Sequence, residues 1–417
     1  MRIGPGDDSQ ASFYQTDTML DKVASDPLWI ASADRSSDRL RFPVAYFKAL
    51  AIYLCSRLVV FLGVLFGKAY IALGDDAWLA GTQWYHRLLR WDSEWYKIIA
   101  SEGYTYDGDP DLRQTVVFYP LYSTLCRLVS EVLRIDVVDA MLLVANLAAA
   151  TAVLLLFKLV RERFGDRNAL ATVAMISFFP SSVFLSAGYT ESLALLLMVS
   201  FFLAVARERF LAAALLAGLA VATRSSGIVL FPVLLWELWR CRSPRRFLIE
   251  AVPLSIIATS GLWLYIIYLG FAFGHPMAFA DGQAAFHENT TMSARLLSAL
   301  TLEPFGKLDL TDVRPAGLDQ WFTLLFIALI ACSWFAGISR GMTLFAAIVL
   351  ALPYLTLSGG PAGFTSMARF NIVSFPLFVV MALLTDRRRW AVPGIVGIFG
   401  GLLLIYAALF SQWQWIG

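Results

Sequence analysis

Charge is scarce in this chain: Asp, Glu, Lys and Arg supply 15% of its 417 residues, against 59% hydrophobic. The apolar residues collect in runs long enough to cross hydrocarbon, so the chain reads as a polytopic helical membrane protein. Cysteine is scarce too. Cys55, Cys126, Cys241 and Cys332 are scattered, without CxxC spacing or histidine partners, which excludes a disulfide framework and leaves four unpaired thiols with no metal role. His275, His287 and Glu288 share one loop at a spacing that fits no common ligand motif. Asp107, Asp109 and Asp111 superficially suggest calcium but lack the rest of an EF-hand loop. No metal and no cofactor is therefore expected. No basic stripe lies outside membrane-flanking positions, so nucleic acid is not the implied partner. The polar residues 1–42 form a tail without an apolar stretch near its start, and the expectation is a cytosolic tail with no cleavable signal peptide. No appended soluble domain and no internal repeat of the kind a two-fold transporter carries is visible.

Eleven candidate spans cover roughly 44–66, 138–159, 169–186, 192–206, 211–223, 227–239, 247–271, 321–338, 342–357, 370–384 and 392–410. Several are shorter than the ~20 residues that a perpendicular crossing prefers, most clearly the two flanking Arg224. With this count most of the 33 Lys and Arg fall on one side, in the tail and in short loops at 158–167, 207–209, 240–246 and 387–389. The positive-inside rule then places the N-terminus in the cytosol and the C-terminus outside. Residues 43–417 read as one transmembrane domain, with outer stretches at 69–137 and 272–318.

The first outer stretch carries most of the chemistry. If 84–101 is helical, Trp84, Leu88, Trp91, Trp95 and Ile98 form one stripe, with Arg87, Arg90, Glu94, Lys97 and Ser101 opposite, as in a helix lying on a membrane surface. Asp92 falls in the adjacent apolar row with Tyr85, Leu89, Tyr96 and Ile99. A carboxylate there needs a reason: it caps a helix that begins at Ser93 and stops at Gly103, it faces a substrate, or it does both. Glu94 reads as a solvated partner of Arg90 and Lys97. Residues 116–134 form a second interfacial helix opened by Pro120, with Leu121, Leu125, Leu128 and Val132 on one face.

Three further positions are candidates. Arg369 stands at the outward start of the span 370–384, where Thr365 or Ser366 can cap the helix. A guanidinium, free N–H groups and the positive end of the dipole there outline a phosphate site, the alternative being an arginine snorkelling to lipid head groups. Arg224, at an outer hairpin tip, is either a phosphate ligand or an interfacial anchor. Tyr189 and Glu191 at the preceding tip either orient a sugar or the nearby arginine, or serve with Thr190 as a cap. Arg57, inside the first span, is costly in hydrocarbon and is expected to pair inside the bundle.

These motifs, in order, resemble a known family. Trp91-Asp92 with Trp95-Tyr96, the run 99–104 (Ile-Ala-Ser-Glu-Gly-Tyr), 118–122 (Phe-Tyr-Pro-Leu-Tyr), 186–191 (Ser-Ala-Gly-Tyr-Thr-Glu), 222–224 (Ala-Thr-Arg), 368–370 (Ala-Arg-Phe) and 375–378 (Phe-Pro-Leu-Phe) resemble the PIG-V family, GPI mannosyltransferase 2 and its prokaryotic relatives. No single motif is very specific, but the ordered succession is. The resemblance implies a GT-C glycosyltransferase fold, all-α, with the active site on the non-cytosolic face of a prokaryotic plasma membrane. It implies a polyprenyl-phosphate sugar donor, dolichyl-phosphate mannose in eukaryotic members, and makes Asp92 the catalytic acid of the family pattern. The GPI precursor used by eukaryotic members is identified by no residue here, so the acceptor is left as a lipid or glycan. A monomer surrounded by membrane lipids is expected.

Elementary chemistry fits this. Displacing a lipid phosphate from a sugar needs one base, because a phosphate leaves without a proton when cations stabilise it. Asp92 takes the acceptor hydroxyl proton, while Arg369, with Arg224 as helper, stabilises the departing phosphate. Single displacement inverts the anomeric carbon, and no second acid is placed for a glycosidase mechanism. Trp91, Trp95, Tyr96, Tyr119, Tyr189, Glu191 and His287 are the expected substrate-lining set. A transporter or flippase of a lipid-linked sugar would also use arginines within the membrane, but the chain shows no repeat symmetry. A noncatalytic assembly subunit is the third possibility.

Overall fold

The computed structural model describes residues 42–74, 83–286 apart from Pro110, 292–357 apart from Val313, and 364–416 apart from Thr365. The N-terminal tail expected at 1–42 lies almost entirely outside the described residues. The described chain is all-α: α1 (Phe42–Tyr70), α2 (Asp92–Ser101), α3 (Pro120–Leu133), α4 (Val137–Phe178), α5 (Glu191–Val205), α6 (Phe210–Thr223), α7 (Leu230–Cys241), α8 (Pro244–Ala258), α9 (Ser260–Phe273), α10 (Met292–Leu300), α11 (Pro315–Ser333), α12 (Arg340–Leu357), α13 (Met367–Phe370), α14 (Phe375–Thr385) and α15 (Ala391–Ser411), linked by short turns and 3-10 segments. Most edges of the apolar runs fall within a few residues of helix ends. The runs at 138–159 and 169–186 meet in α4, whose backbone leaves the helical region at Gly165 (φ 79°).

Among the described residues, three helices are by length and composition long and apolar enough to cross a membrane: α1, α4 and α15. The pair α8 and α9 bends by 49°, and the turn 367–373 meets α14 at 85°; each pair passes the same test only jointly. Four further apolar helices have 10–17 residues. Among the described residues the eleven candidate spans read from hydropathy do not all appear as long helices, because several apolar runs are short or bent. Where a helix lines the outside it presents bare apolar side chains: Leu248, Ile249, Val252 and Ile256 on α8, and Phe271 on α9 at 89% exposure. Such a surface is stable against lipid rather than water. Helix α3 buries Tyr122, Ser123 and Cys126 against the bundle; of the face expected to meet the membrane, Leu128 and Val132 are bare while Leu121 and Leu125 pack on the core.

The two ends of the bundle differ. At one, the loops richest in arginine are tied by ion pairs: Arg207 to Glu162 at 3.1 Å, Arg242 to Glu208 at 3.0 Å and Glu250 at 3.2 Å, and Arg167 to Asp386 at 3.3 Å. At the other, α2, the tips before α5 and after α6, and the α13 turn converge.

Helices α1 and α15 lie against each other. Gly63 and Gly67, one turn apart on α1, admit the backbone of α15 so closely that a Cβ at Gly63 would stand 2.5 Å from the Leu404 carbonyl oxygen, and one at Gly67 would meet that of Ala408. Small residues at such crossings let van der Waals packing replace the hydrophobic drive that lipid does not supply. Arg57, two turns earlier, does find partners, but not a carboxylate. Its guanidinium donates to the Ser182 carbonyl and Ser186 Oγ, each at 2.8 Å, and to the Ser177 carbonyl at 2.8 Å and Ser182 Oγ at 3.0 Å. It staples α1 to the 3-10 segment Pro180–Leu185, which leads into Tyr189 and Glu191.

Candidate active site

Residues 84–101 do not form one continuous helix. A 3-10 turn covers Trp84–Leu88, the chain then breaks, and Trp91 takes φ 50° immediately before α2. The break resets the helical phase, so the expected stripe from Trp84 to Ile98 is not continuous, and two of the residues assigned to its solvated face, Arg90 and Glu94, are buried. Arg90 is 2% exposed and donates to the Leu89 carbonyl at 2.7 Å, with the Trp413 ring 5.2 Å from its guanidinium. Burial and nearby Arg87 lower its pKa to about 10. Glu94 is 7% exposed, 3.8 Å from Lys97, and burial raises its pKa. Asp92 is the first residue of α2 rather than its cap, which frees its carboxylate for a partner elsewhere. Gly103 ends the helix as expected, at φ 94° with its N–H on the Ile99 carbonyl at 3.1 Å.

That partner is Arg369. Its Nη2 donates to Asp92 Oδ2 at 2.6 Å and its Nε to Glu191 Oε1 at 2.9 Å. Arg224 Nη1 lies 3.3 Å from the same Glu191 oxygen, too poorly aligned to count as a hydrogen bond, since Arg224 Nη1 and Glu191 Oε2 are both without a hydrogen-bond partner. The Arg369 guanidinium also rests 4.6 Å from the Tyr189 ring and 4.9 Å from Phe184, while Phe370 lies 5.5 Å from both arginines. Two guanidiniums and two carboxylates thus form a charge-balanced centre walled by aromatic rings, which is how ionic groups tolerate a low dielectric. The carboxylates are unequal: Glu191 is wholly buried, whereas the Asp92 side chain is 34% exposed. Glu191 begins α5 without capping it, and its Oε1 faces both arginines.

Arg369 is held differently from expectation. It belongs to the four-residue turn α13, separated from the span α14 by the sharp bend at Ser374, and Ser366 makes no side-chain cap. The N–H groups of Ser366 and Ala368 donate instead to Asp319 Oδ2 and Oδ1, each at 2.9 Å. Helix N–H groups at this turn are thereby partly spent on a carboxylate of the protein. Asp319 drew no notice from hydropathy because it sits two residues before the run at 321–338. The cue available was an acid at the mouth of a span.

The aromatic residues divide. Trp91 packs on Phe410, Trp413 and Trp415 at 5.3–5.5 Å, against the end of α15. Tyr189 is 1% exposed and its hydroxyl donates to the Arg90 carbonyl at 2.8 Å, so its ring and not its hydroxyl faces the centre. Tyr96 is buried against Phe118 and Tyr122. Tyr119 packs on Tyr265 and Phe279, and burial pushes its phenol to about 12. Trp95, one turn beyond Asp92, stacks on Phe118 at 5.9 Å and meets Phe286 edge-on at 5.5 Å. His275 pairs with Asp281 at 3.3 Å; His287 and Glu288 lie outside the described residues.

Residues 77–242 match the family model described as Mannosyltransferase (PIG-V). GPI mannosyltransferase 2 of Drosophila pseudoobscura pseudoobscura is 35% identical over 115 residues, 25% of this chain and 24% of that protein. The same-named protein of Cryptococcus neoformans var. neoformans is 33% identical over 152 residues, 34% of each. Mouse GPI alpha-1,6-mannosyltransferase 2 is 30% identical over 209 residues, 44% of this chain and 41% of that one. Over this segment the chain is similar to the PIG-V mannosyltransferases. The alignments span between 24% and 41% of the length of these relatives. Among solved structures, ArnT from Cupriavidus metallidurans superposes with TM-score 0.49 at 12% identity, covering 87% of this chain and 76% of that one. The Archaeoglobus fulgidus oligosaccharyltransferase tethered to an acceptor peptide gives 0.49 at 13%, covering 88% and 55%. The segment matching the PIG-V model contains Asp92, Tyr189, Glu191 and Arg224, whereas Arg369 and Asp319 lie beyond it. The motifs read from the sequence between Trp91 and Arg224 lie within the matched segment, and those at 368–370 and 375–378 lie beyond it.

Proposed function

We propose that this chain is a membrane glycosyltransferase of the GT-C type, moving a hexose, with mannose the family's choice, from a polyprenyl-phosphate donor to a lipid-linked or glycolipid acceptor on the non-cytosolic face. The observation that carries the reading is the inequality of the two carboxylates: Glu191 is buried between two arginines, while Asp92 is anchored through Oδ2 alone. A centre with one accessible carboxylate suits single displacement and inversion, not the two-carboxylate chemistry of a glycosidase.

In the step, Asp92 takes the proton of the acceptor hydroxyl as its oxygen bonds to the anomeric carbon. The bond from that carbon to the phosphate oxygen breaks, and the polyprenyl phosphate leaves with both electrons. The donor phosphodiester carries one negative charge and the product monoester two. Protonation of Asp92 simultaneously removes one negative charge from the centre, so Arg369 loses a counter-charge as the leaving group gains one. Electrostatic stabilisation of this kind is largest when the dipoles and charges are already in place. Arg224, whose one charged neighbour at ion-pair distance among the described residues is Glu191, retains donors for the phosphate. The stacked rings of Trp95 and Phe118 offer an apolar face to a sugar ring next to Asp92.

The test is transfer from a labelled polyprenyl-phosphate mannose to a panel of lipid acceptors by the purified full chain in lipid nanodiscs. A product with inverted anomeric configuration is expected. Movement of the labelled donor across proteoliposomes with no transfer to any acceptor would replace the reading with that of a flippase.

A further inference from the structure

Asp319 is a buried carboxylate with an unusual employment. It is 0% exposed and lies near the start of α11, yet no described basic side chain forms an ion pair with it. Both its oxygens accept from backbone amides of a distant turn, Ser366 N–H on Oδ2 and Ala368 N–H on Oδ1, each at 2.9 Å. A carboxylate taken from water without a cation costs several kcal/mol unless its hydrogen bonds are complete, and an alanine or leucine would fill the site more cheaply. What the carboxylate holds is specific. Ser366 sits in the left-handed region at φ 61°, a conformation a serine adopts reluctantly, and the turn it opens has only four residues. The third of those residues is Arg369.

We propose that Asp319 is a positioning residue for the transfer reaction, fixing the backbone of α13 so that the Arg369 guanidinium meets Asp92 and Glu191. The proposal rests on the reading of the centre given above. The geometry is that of a clamp with two jaws: one carboxylate oxygen on the amide before the turn and one inside it, so that the turn can neither rotate nor slide along α11. Arg369 reaches from this clamp to Asp92, 277 residues away in the chain, and to Glu191, 178 away. Neither of those carboxylates shares an element with the turn, so the backbone of α13 has to bring the guanidinium to them. Asn371 supplies a lesser local hold, its Nδ2 donating to the Met367 carbonyl at 2.9 Å.

Asp319→Asn keeps the shape but turns one jaw into an NH2 group facing an N–H donor. A misplacement of about 1 Å near reacting groups costs on the order of a hundredfold in rate, and that loss is expected in kcat with acceptor KM unchanged. A residue acting only through Arg369 adds nothing once Arg369 is gone. Asp319→Asn should therefore slow the residual transfer of Arg369→Ala no further, whereas general damage to the fold would multiply the two losses. A second measurement needs no turnover: modification of Arg369 by phenylglyoxal, mapped by mass spectrometry, should be slow in the native chain and clearly faster in Asp319→Asn. Multiplying losses, or unchanged reactivity of Arg369, would overturn the role of Asp319. If Arg369→Ala itself transferred at the native rate, the reading of the centre would fall instead, and the modification experiment would still decide whether Asp319 holds the turn.

Discussion

Replacing Asp92 by Asn separates chemistry from stability more cleanly than any other change at the centre. The carboxylate is 34% exposed and its one recorded bond, 2.6 Å to Arg369, is of a kind that an amide oxygen can still accept. Arg369 also keeps Glu191 at 2.9 Å. A partly exposed ion pair contributes about 1 kcal/mol at most, so the variant should insert, purify and melt like the native chain. Its lost proton acceptor is another matter: removal of a general base costs ~10²- to 10⁴-fold, or about 3 to 5 kcal/mol of barrier. Glu191→Gln is the control with the opposite signature, because it strips the buried centre of a charge shared by two arginines. Breaking a buried pair costs roughly 3–5 kcal/mol, and here stability and transfer should fall together. Initial rates from labelled donor in nanodiscs, read beside thermal unfolding in the same preparation, give both quantities. Asp92→Asn retaining activity within about threefold of native, far inside the ~10²-fold minimum, would remove Asp92 from the mechanism. Melting as poorly as Glu191→Gln would mean that its ion pair is structural.

Three other outcomes are expected. Arg224→Ala should raise the donor KM by roughly one to two decades, the worth of a charge-assisted contact, and leave acceptor KM unchanged, while Arg369→Lys, losing the planar fork that spans two carboxylates, should lower kcat; a defect confined to acceptor KM in the Arg224 variant would take it out of the phosphate site. In a background lacking the four native cysteines, single cysteines at the exposed Glu102 and at Asp92 should react with an impermeant thiol reagent from outside, and those at Arg242 and Arg388 only after permeabilisation; labelling of all four from one side would refute the proposed orientation.

Much of the scaffold was legible because helix edges follow the apolar periodicity, and α3 and most helices from α5 to α15 begin or end within a few residues of where the apolar runs do. Asp92, Glu191, Arg224 and Arg369 were legible individually, since a charge beside a membrane span has to be explained. Their pairing was not. It joins residues 277 and 178 positions apart, and no local spacing carries such a relation. Where periodicity misled, the cause was a single backbone angle: the positive φ at Trp91 breaks the phase between Arg90 and Glu94, turning an expected i,i+4 surface pair into two separately buried groups. The expected cap of Arg369's helix failed for a related reason, because the bend at Ser374 detaches α13 from its span and Asp319 supplies the acceptor that Ser366 does not.

The glycine seam between α1 and α15 bears on how the chain is made. The partner of the earliest helix emerges about 340 residues later, from Gly63 to Leu404. At ordinary synthesis rates of 5–20 residues per second, the first helix waits roughly 20 to 70 s in the bilayer with its notched face against lipid or a borrowed neighbour. The contact of α1 with α15 therefore cannot close until α15 has been made, and a chain truncated before α15 would leave that seam open.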